Sequence, residues 1–464
     1  MPSNSKIFSD TLSAPATAPG ISTEAAEPAA KPSAATEKAK PEEAADMPAH
    51  GDKSIWGIFI MLCLISVIEL YSASSREVAA AGVYGPIMRH VFFLTLAFGI
   101  IWGLEKVHYK WFFAGAYAFA GISLIMMIYT SVAGDVINGA RRSFHLGPMS
   151  IQPSEFIKIS AVFVIAKVMA CSQKAKEVGV HNKAIITGAA VVVVFGALLY
   201  PQGLTNTGLL LAIWMAMMTI GGTEYKKLFL IVAIIGTLGY GAHKFQKWQL
   251  EKSRMEAALA IADNPGTEGI DLNRSGLREG RLARYNPFAA KYKDSITADN
   301  RQEMYSYMAQ ANGGIIGVFP GNSRETARLP LAFSDYIFAI VLEDIGFVGG
   351  MFLLILYLWL LARAGVIARK CHRAFPALLV MGMAVMIVLQ ALFHMAITTG
   401  AFPVSGQPLP LISKGGTSIL ITAIALGAML SVSRSAVQNG TRQEVKEELN
   451  QLPEELHASN PTQL

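Results

Sequence analysis

The fold class predicted for this chain is an all-α integral membrane protein with about ten transmembrane helices, both termini cytoplasmic and a long extracytoplasmic loop between spans seven and eight. Three observations predict it. Hydrophobic residues make up 52% of the chain and charged residues 16%, with a mean hydropathy of +0.40. The apolar runs are long, and a helix needs roughly 20 apolar residues to cross a hydrocarbon core. Positive charge is also unevenly shared between alternate connections, and Lys and Arg stay on the cytoplasmic side. With the N-terminus inside, the inner connections hold Lys106, Lys110, Lys174, Lys176, Lys183, Lys226, Lys227, Arg363, Arg369, Lys370 and Arg373. The short outer connections hold only Arg76, Arg89, Arg141, Arg142 and Lys414.

Residues 1–53 are rich in Ala, Pro, Glu and Lys, cannot bury enough apolar surface to fold, and read as a disordered cytoplasmic tail. The first apolar run lies too deep in the chain for a cleavable signal and is expected to stay as an anchor. The membrane domain covers 54–434, with spans at Ile55–Tyr71, Ile87–Leu104, Trp111–Thr130, Phe156–Ala170, Ala184–Tyr200, Thr207–Ile220 and Leu228–Tyr240. The loop at 241–334 follows, and then spans at Tyr336–Leu361, Phe375–Ala396 and Ser418–Val432. Residues 435–464 mix both charges and form a cytoplasmic C-terminal tail. Cys63, Cys171 and Cys371 are scattered over spans and an inner connection, which predicts free thiols. No GxxxxGK[ST] loop is present, which argues against an ATP-driven pump or a nucleotide cofactor. No nucleic-acid partner is expected.

Three outward segments carry the polar information. In Asn138–Lys158, Pro153 suits a first helical turn, and Glu155 and Lys158 sit three apart on one helical face. Arg142 and Lys158 can hold a diphosphate, Arg by bidentate contacts and Lys as a point charge. Alternatively, Glu155 and Lys158 form an intrahelical ion pair. Arg141 is the weaker candidate.

The second segment is the loop, too long for a simple connector. Tyr285–Phe288 (YNPF) marks a turn, Tyr305–Asn312 has helix-like spacing, and Gly313, Gly314, Gly317 and Gly321 imply close turns. The charged stretch Glu251–Arg284 offers at most a surface for a partner. The loop ends at Asp335, at the mouth of an apolar helix, where an acid can meet a lipid-linked substrate from the aqueous side. Such a residue is either catalytic or a helix N-cap.

The third segment, Thr398–Ser418, interrupts apolar sequence with Pro and Gly. It is either the re-entrant wall of a substrate groove or a compact interfacial turn. Its side chain of interest is Lys414. Glu343 lies eight residues, about 12 Å of helix, beyond Asp335 and is expected to pair with a basic residue of another span. Gln390 and His394, one turn apart, read as interhelical hydrogen-bonders rather than a proton relay.

The stretches NGARRSFHLGPMSIQPSEFIKI, YNPF, ANGGIIG, LPLAFSDYIFAIVLEDIG and FPVSGQPLPLISKGGTS occur in order and resemble successive signatures of the SEDS family (shape, elongation, division and sporulation) over roughly Ser54–Arg434. The resemblance implies a ten-span peptidoglycan glycosyltransferase that polymerises lipid II at the outer face of the cytoplasmic membrane. Implied partners are lipid II, the undecaprenyl-diphosphate-linked glycan, a class B penicillin-binding protein as transpeptidase, other division proteins and membrane lipid. By motif, Asp335 falls on the family's essential aspartate, Arg142 and Lys158 on its basic positions, and Glu343 on the first acid of EELG. Lys414 joins the substrate-binding set, with Gln152, Glu155, Glu343 and Ser413 in support.

There are departures from the family pattern. Ser143 stands where Trp is usual, Lys414 replaces a common Tyr, and Pro201–Thr207 (PQGLTNT) only loosely resembles QPDxGT. Pro320–Ser323 and the long N-tail favour the division branch over the elongation branch. The mechanism so implied is an inverting displacement in which Asp335 is the base and Arg142 and Lys158 serve the leaving diphosphate. A divalent cation, Mg²⁺ or another, can bridge the diphosphate, and Asp335 can instead help hold it. A lipid II flippase and a non-catalytic scaffold are the rival readings.

Overall fold

The computed structural model describes residues 50–73, 84–137, 140–146, 149–173, 179–263, 295–297, 300–329, 332–438 and 450. Nearly all of the expected tails, and the Tyr285–Phe288 turn, lie outside them. The described residues form twelve helices and one small sheet. In order these are α1 (Lys53–Ala73), α2 (Tyr84–Glu105), α3 (Lys110–Ala133), β1 (Asp135–Ile137), β2 (Ala140–Leu146), β3 (Met149–Ile151), α4 (Pro153–Ala170), α5 (Asn182–Leu199) and α6 (Leu204–Ile220). Then follow α7 (Tyr225–Asp263), α8 (Arg301–Gly313), α9 (Ile337–Asp344), α10 (Gly346–Lys370), α11 (Ala374–Thr398) and α12 (Gly416–Gln438).

Among the described residues, seven helices are long and apolar enough to cross a membrane: α1, α2, α3, α5, α10, α11 and α12. They divide by burial. In α11 and α12, 83% of the apolar window is buried, against 28–39% in the other five. A helix that is apolar all round belongs inside a bundle, so α11 and α12 are central. α11 packs against α4, α6, α10 and α12, and α12 runs along α2. The outer helices leave Trp102, Trp111, Ile125, Val132 and Phe229 exposed, an apolar surface suited to lipid rather than water.

The multi-span helical architecture is as expected, with one small addition and two corrections of detail. The addition is that β1, β2 and β3 form an antiparallel sheet with β2 central, in the register Ile137↔Ala140 and Phe144↔Ile151. The cause is visible in the sequence, where Asn138-Gly139 and Gly147-Pro148, both turn-favouring pairs, bracket Ala140–Leu146. The span ending near Tyr240 continues as α7 to Asp263, so the first part of the expected loop is helical.

The expected span Tyr336–Leu361 is two helices, broken at Ile345–Gly346. Gly346 has φ +73°, and a Cβ there would run into the backbone of Ile315 and Gly317. The break leaves helix ends that need partners, and the segment Gly314–Phe319 supplies them. Val318 N and Phe319 N donate to the carbonyls of Glu343 and Asp344 (2.9 and 2.8 Å). Phe347 N and Val348 N donate to those of Gly314 and Ile315 (2.9 and 3.1 Å). Gly313 also packs where a side chain would meet the Leu342 carbonyl. Gly313 and Gly317 are thus explained by close approach of backbone to backbone, and Gly314 and Gly321, which face open space, by their positive φ of +54° and +90°.

Candidate active site

The three outward segments converge, and the irregular chain between α11 and α12 is where they meet. Asp335 sits in the turn before α9, half-buried. It is not the N-cap: Tyr336 is, and no side chain makes a capping bond there. The Asp335 carboxylate instead accepts from Ser334 Oγ at 3.0 Å and lies flush against Gly406, where a Cβ would stand 3.0 Å from Oδ2. The turn is fixed to the third segment on both sides of that contact. Ser413 Oγ donates to the Ser334 carbonyl (2.8 Å), and Lys414 N donates to that of Phe333 (2.9 Å). The half-buried Lys414 holds its ammonium 4.7 Å from the Phe333 ring centre. Ser413 Oγ also receives Leu409 N at 2.8 Å, so this supporting residue stitches the segment to itself as well as to the Asp335 turn.

The first segment joins through Thr417. Its hydroxyl donates to the Ser150 carbonyl (2.7 Å) and receives Gln152 N (3.3 Å). Gln152 supports the site through its main chain, at the junction of β3 and α4, where Pro153 occupies the first turn as expected. On β2, Arg142 is half-buried and Arg141 is exposed. Alternate residues of a strand share a face, so Arg142 lies with Phe144, whose ring packs edge-on to Tyr129 of α3 at 5.4 Å. Ser143, where the SEDS pattern has Trp, is buried.

Below the segment lies a layer of buried polar side chains. Lys158 is fully enclosed, its ammonium donating to Glu155 Oε1 (2.7 Å) and Gln390 Oε1 (2.9 Å). Gln390 Nε2 donates in turn to the Pro408 carbonyl (3.2 Å). The intrahelical pair is therefore present, and a diphosphate would reach Lys158 only if that pair opened. His394 shares Nδ1 with the Gln407 carbonyl (2.6 Å), while Gln407 Nε2 donates to Asn206 Oδ1 (2.8 Å). Gln390 and His394 are hydrogen-bonders between elements, as their spacing suggested.

Glu343 is buried, but its partners are not the basic side chain expected of it. Ser323 Oγ donates to Oε2 (2.5 Å), and Arg324 N, Asn312 Nδ2 and Glu325 N donate to Oε1 (3.0, 3.3 and 3.4 Å). One carboxylate thus organises the loop that leads to Asp335, because several N–H and O–H donors can satisfy the lone pairs of a buried acid in place of a cation. Beside it, burial pushes the Glu325 carboxyl above its ordinary range and Glu343 adds to the effect, against the opposing pull of Arg328.

Of the residues singled out in the sequence, Asp335, Lys414, Ser413 and Gln152 lie on the hydrogen-bonded junction of the three segments, Glu155 and Lys158 in the polar layer beneath it, Glu343 in the loop leading to it, and Arg142 on β2. Gly406, Asn206, Gln407 and Thr417 were not singled out. Of these only Gly406 had a signal, a glycine within a Pro-rich break, and nothing in one sequence says that it faces a carboxylate. Among the described residues no three His, Cys, Asp or Glu gather as a ready metal site.

A family model described as a cell cycle protein, covering FtsW, RodA and SpoVE, matches residues 52–438. The chain is 28% identical over 396 residues to a probable peptidoglycan glycosyltransferase FtsW of Bacillus subtilis strain 168, covering 82% of this chain and 90% of that one. Its fold resembles a chain of a peptidoglycan synthase complex that coordinates polymerization and crosslinking, with TM-score 0.60, 23% identity and coverage of 84% and 99%. It also resembles the rod shape determining protein RodA of Thermus thermophilus, with TM-score 0.56, 22% identity and coverage of 83% and 97%.

Proposed function

The chain belongs to the cell cycle protein family of FtsW, RodA and SpoVE, the SEDS proteins, and we propose that this multi-pass membrane protein is a peptidoglycan glycosyltransferase that polymerises lipid II. The observation that carries the reading is the placement of Asp335, a half-buried carboxylate packed against the third outward stretch, to which the first and second are both hydrogen-bonded. The proposed topology has ten crossings: the seven long apolar helices, α4, α6 and the first part of α7, with both termini cytoplasmic and the Asp335 turn outside. The charge asymmetry of the connections supports it.

In the proposed reaction the donor is a glycan joined through its anomeric carbon to undecaprenyl diphosphate, and the nucleophile is the 4-hydroxyl of the GlcNAc of an incoming lipid II. Asp335 takes the hydroxyl proton as the oxygen attacks the anomeric carbon. The bond from that carbon to the diphosphate breaks, and inversion gives a β-1,4 link. A carboxylate gripped on one oxygen by Ser334 and backed by Gly406 has little freedom to turn, and such orientation is what general-base catalysis needs. Arg142 and Lys414 would serve the leaving diphosphate as cations. Lys158 acts from below, holding Gln390 and through it the Pro408 carbonyl.

Mg²⁺ needs only one or two carboxylates besides phosphate oxygens. Asp335 together with a bound diphosphate fits that demand, and the ion would neutralise charge on the leaving group. The relative named FtsW, the sequence Pro320–Ser323 and the long N-terminal stretch support a role in septal synthesis with a class B penicillin-binding protein.

The test is polymerisation of labelled lipid II by the purified protein with a transferase-dead transpeptidase partner. Wild type is expected to make strands, and a folded, partner-binding Asp335→Asn protein none. Strands from both would remove Asp335 as base, and strands from neither, with active substrate, would favour a scaffold.

A further inference from the structure

We propose that His394 is a positioning residue for Asp335, acting through Gln407 and Gly406. The inference rests on Asp335 being the base. A carbonyl oxygen only accepts, so the 2.6 Å contact with the Gln407 carbonyl places the proton of His394 on Nδ1. Nε2 is then a bare lone pair, and it is buried without a partner among the described residues. Enclosing an imidazole and leaving one nitrogen unmatched is unfavourable. A core position on α11 with no further task would be better filled by an apolar side chain. What the ring gains is a single bond, made to the residue next to the glycine that backs the catalytic carboxylate.

The other end of Gln407 is held too. Its amide nitrogen donates to Asn206 Oδ1 at the start of α6 (2.8 Å), and the residue is 2% exposed. α11 and α6 therefore grip Gln407 by its carbonyl and by its side chain. Gly406, one peptide back, is left no freedom to retreat from Asp335. The position of the carboxylate is set from beneath by a side chain that never meets substrate.

The test uses the full chain with its transferase-dead partner and labelled lipid II, and compares His394→Leu with His394→Asn. The Asn amide nitrogen falls close to the place of Nδ1, so it can restore the bond to Gln407. For His394→Leu, kcat is expected to fall about tenfold or more with KM close to the wild-type value, since orientation and not binding is lost. His394→Asn should recover to within about threefold of wild type. If His394→Leu does not fold, His394→Gln, whose amide lies nearer the place of Nε2, is the slow variant to set against His394→Asn. A folded His394→Leu (or Gln) protein with wild-type kcat overturns the proposal, as does a loss confined to KM or a His394→Asn protein as slow as His394→Leu. Absence of strands from wild type, or equal strands from Asp335→Asn, instead overturns the reading of Asp335 on which the proposal rests.

Discussion

Gly406→Ala should slow polymerisation without unfolding the protein. The new methyl would stand 3.0 Å from Asp335 Oδ2 and 3.4 Å from both Cγ and Oδ1, where ordinary contact is 3.4–4 Å. Gly406 is not in the left-handed region, so alanine brings no backbone strain. The carboxylate, at the end of a half-buried side chain and not part of the backbone, is what shifts, by roughly 0.5 Å. A misplacement of about 1 Å can cost a hundredfold in rate, so roughly half that shift predicts about a tenfold loss of kcat, about 1.4 kcal/mol of barrier. The unfolded chain loses entropy on gaining a side chain, which offsets the contact and leaves stability within about 1 kcal/mol. Lipid II polymerisation under saturating substrate, with the thermal midpoint measured in parallel, separates the two effects. An Ala variant with kcat within about twofold of wild type would refute the idea that this contact orients the carboxylate.

Lys158→Met should destabilise by about 3–5 kcal/mol, because it leaves the Glu155 carboxylate buried beside Gln390 without its cation. Adding Glu155→Gln should return most of that loss in chemical denaturation, and a double variant as unstable as the single would show that the ion pair is not the cause. Ser323→Ala removes a hydrogen bond of 2.5 Å to the Glu343 carboxylate and should cost about 1.5–3 kcal/mol, read as a lower unfolding midpoint with partner binding retained. For Asp52, burial alone would raise the carboxyl, but the Arg363 guanidinium, with Ser54 N and Ile55 N, outweighs it and holds it below its ordinary value. Its stabilisation is therefore fully present above the unfolded aspartate pKa of about 3.9, and is lost as pH falls through the lower folded value. Glu325, raised chiefly by burial, has the opposite sign, with stability lost as pH rises through its folded value. Unfolding midpoints from acid to neutral pH for Asp52→Asn and Glu325→Gln should show each slope abolished, and unchanged profiles would exclude these groups.

The helices that cross the membrane could be read from the sequence because length and hydropathy are properties of one segment at a time. α1, α2, α3, α5 and α11 begin and end within about three residues of the expected limits. The errors fall where a distant segment decides the local structure. The break at Gly346 depends on Gly314–Phe319 arriving to satisfy two helix ends, and no pattern within Tyr336–Leu361 announces it. The partners of Glu343 were misjudged for the same reason: a buried acid was expected to find a cation, whereas the sequence could not show that Ser323, Arg324 and Glu325 would bring their donors to it. Asp335 and Lys158 stood out because charge beside or within an apolar run is conspicuous, while Gly406 has no chemistry of its own and is notable only for its place against the Asp335 carboxylate.

Why the site is built on irregular chain follows from the same bonds. Backbone groups at membrane depth must be satisfied by protein, and within a helix the carbonyls of 407–410 would be spent on their own segment. Released from a helix, they accept from neighbouring elements: His394 to Gln407, Gln390 to Pro408, and Tyr357 Oη to Pro410 at 2.6 Å. Each bond ties the wall of the site to α10 or α11. Leu411, buried, is held at φ +65° between the last of these carbonyls and Ser413. That conformation costs a bulky residue about 1–3 kcal/mol and persists only where its surroundings over-determine it. The strain, the surrendered helix and the enclosed polar side chains all fall within a few residues of the chain that faces Asp335. A simple interfacial turn, whose requirement is to satisfy its own backbone, would call for none of them, so these bonds and this strain support the proposed reading of the segment as a rigid wall facing Asp335.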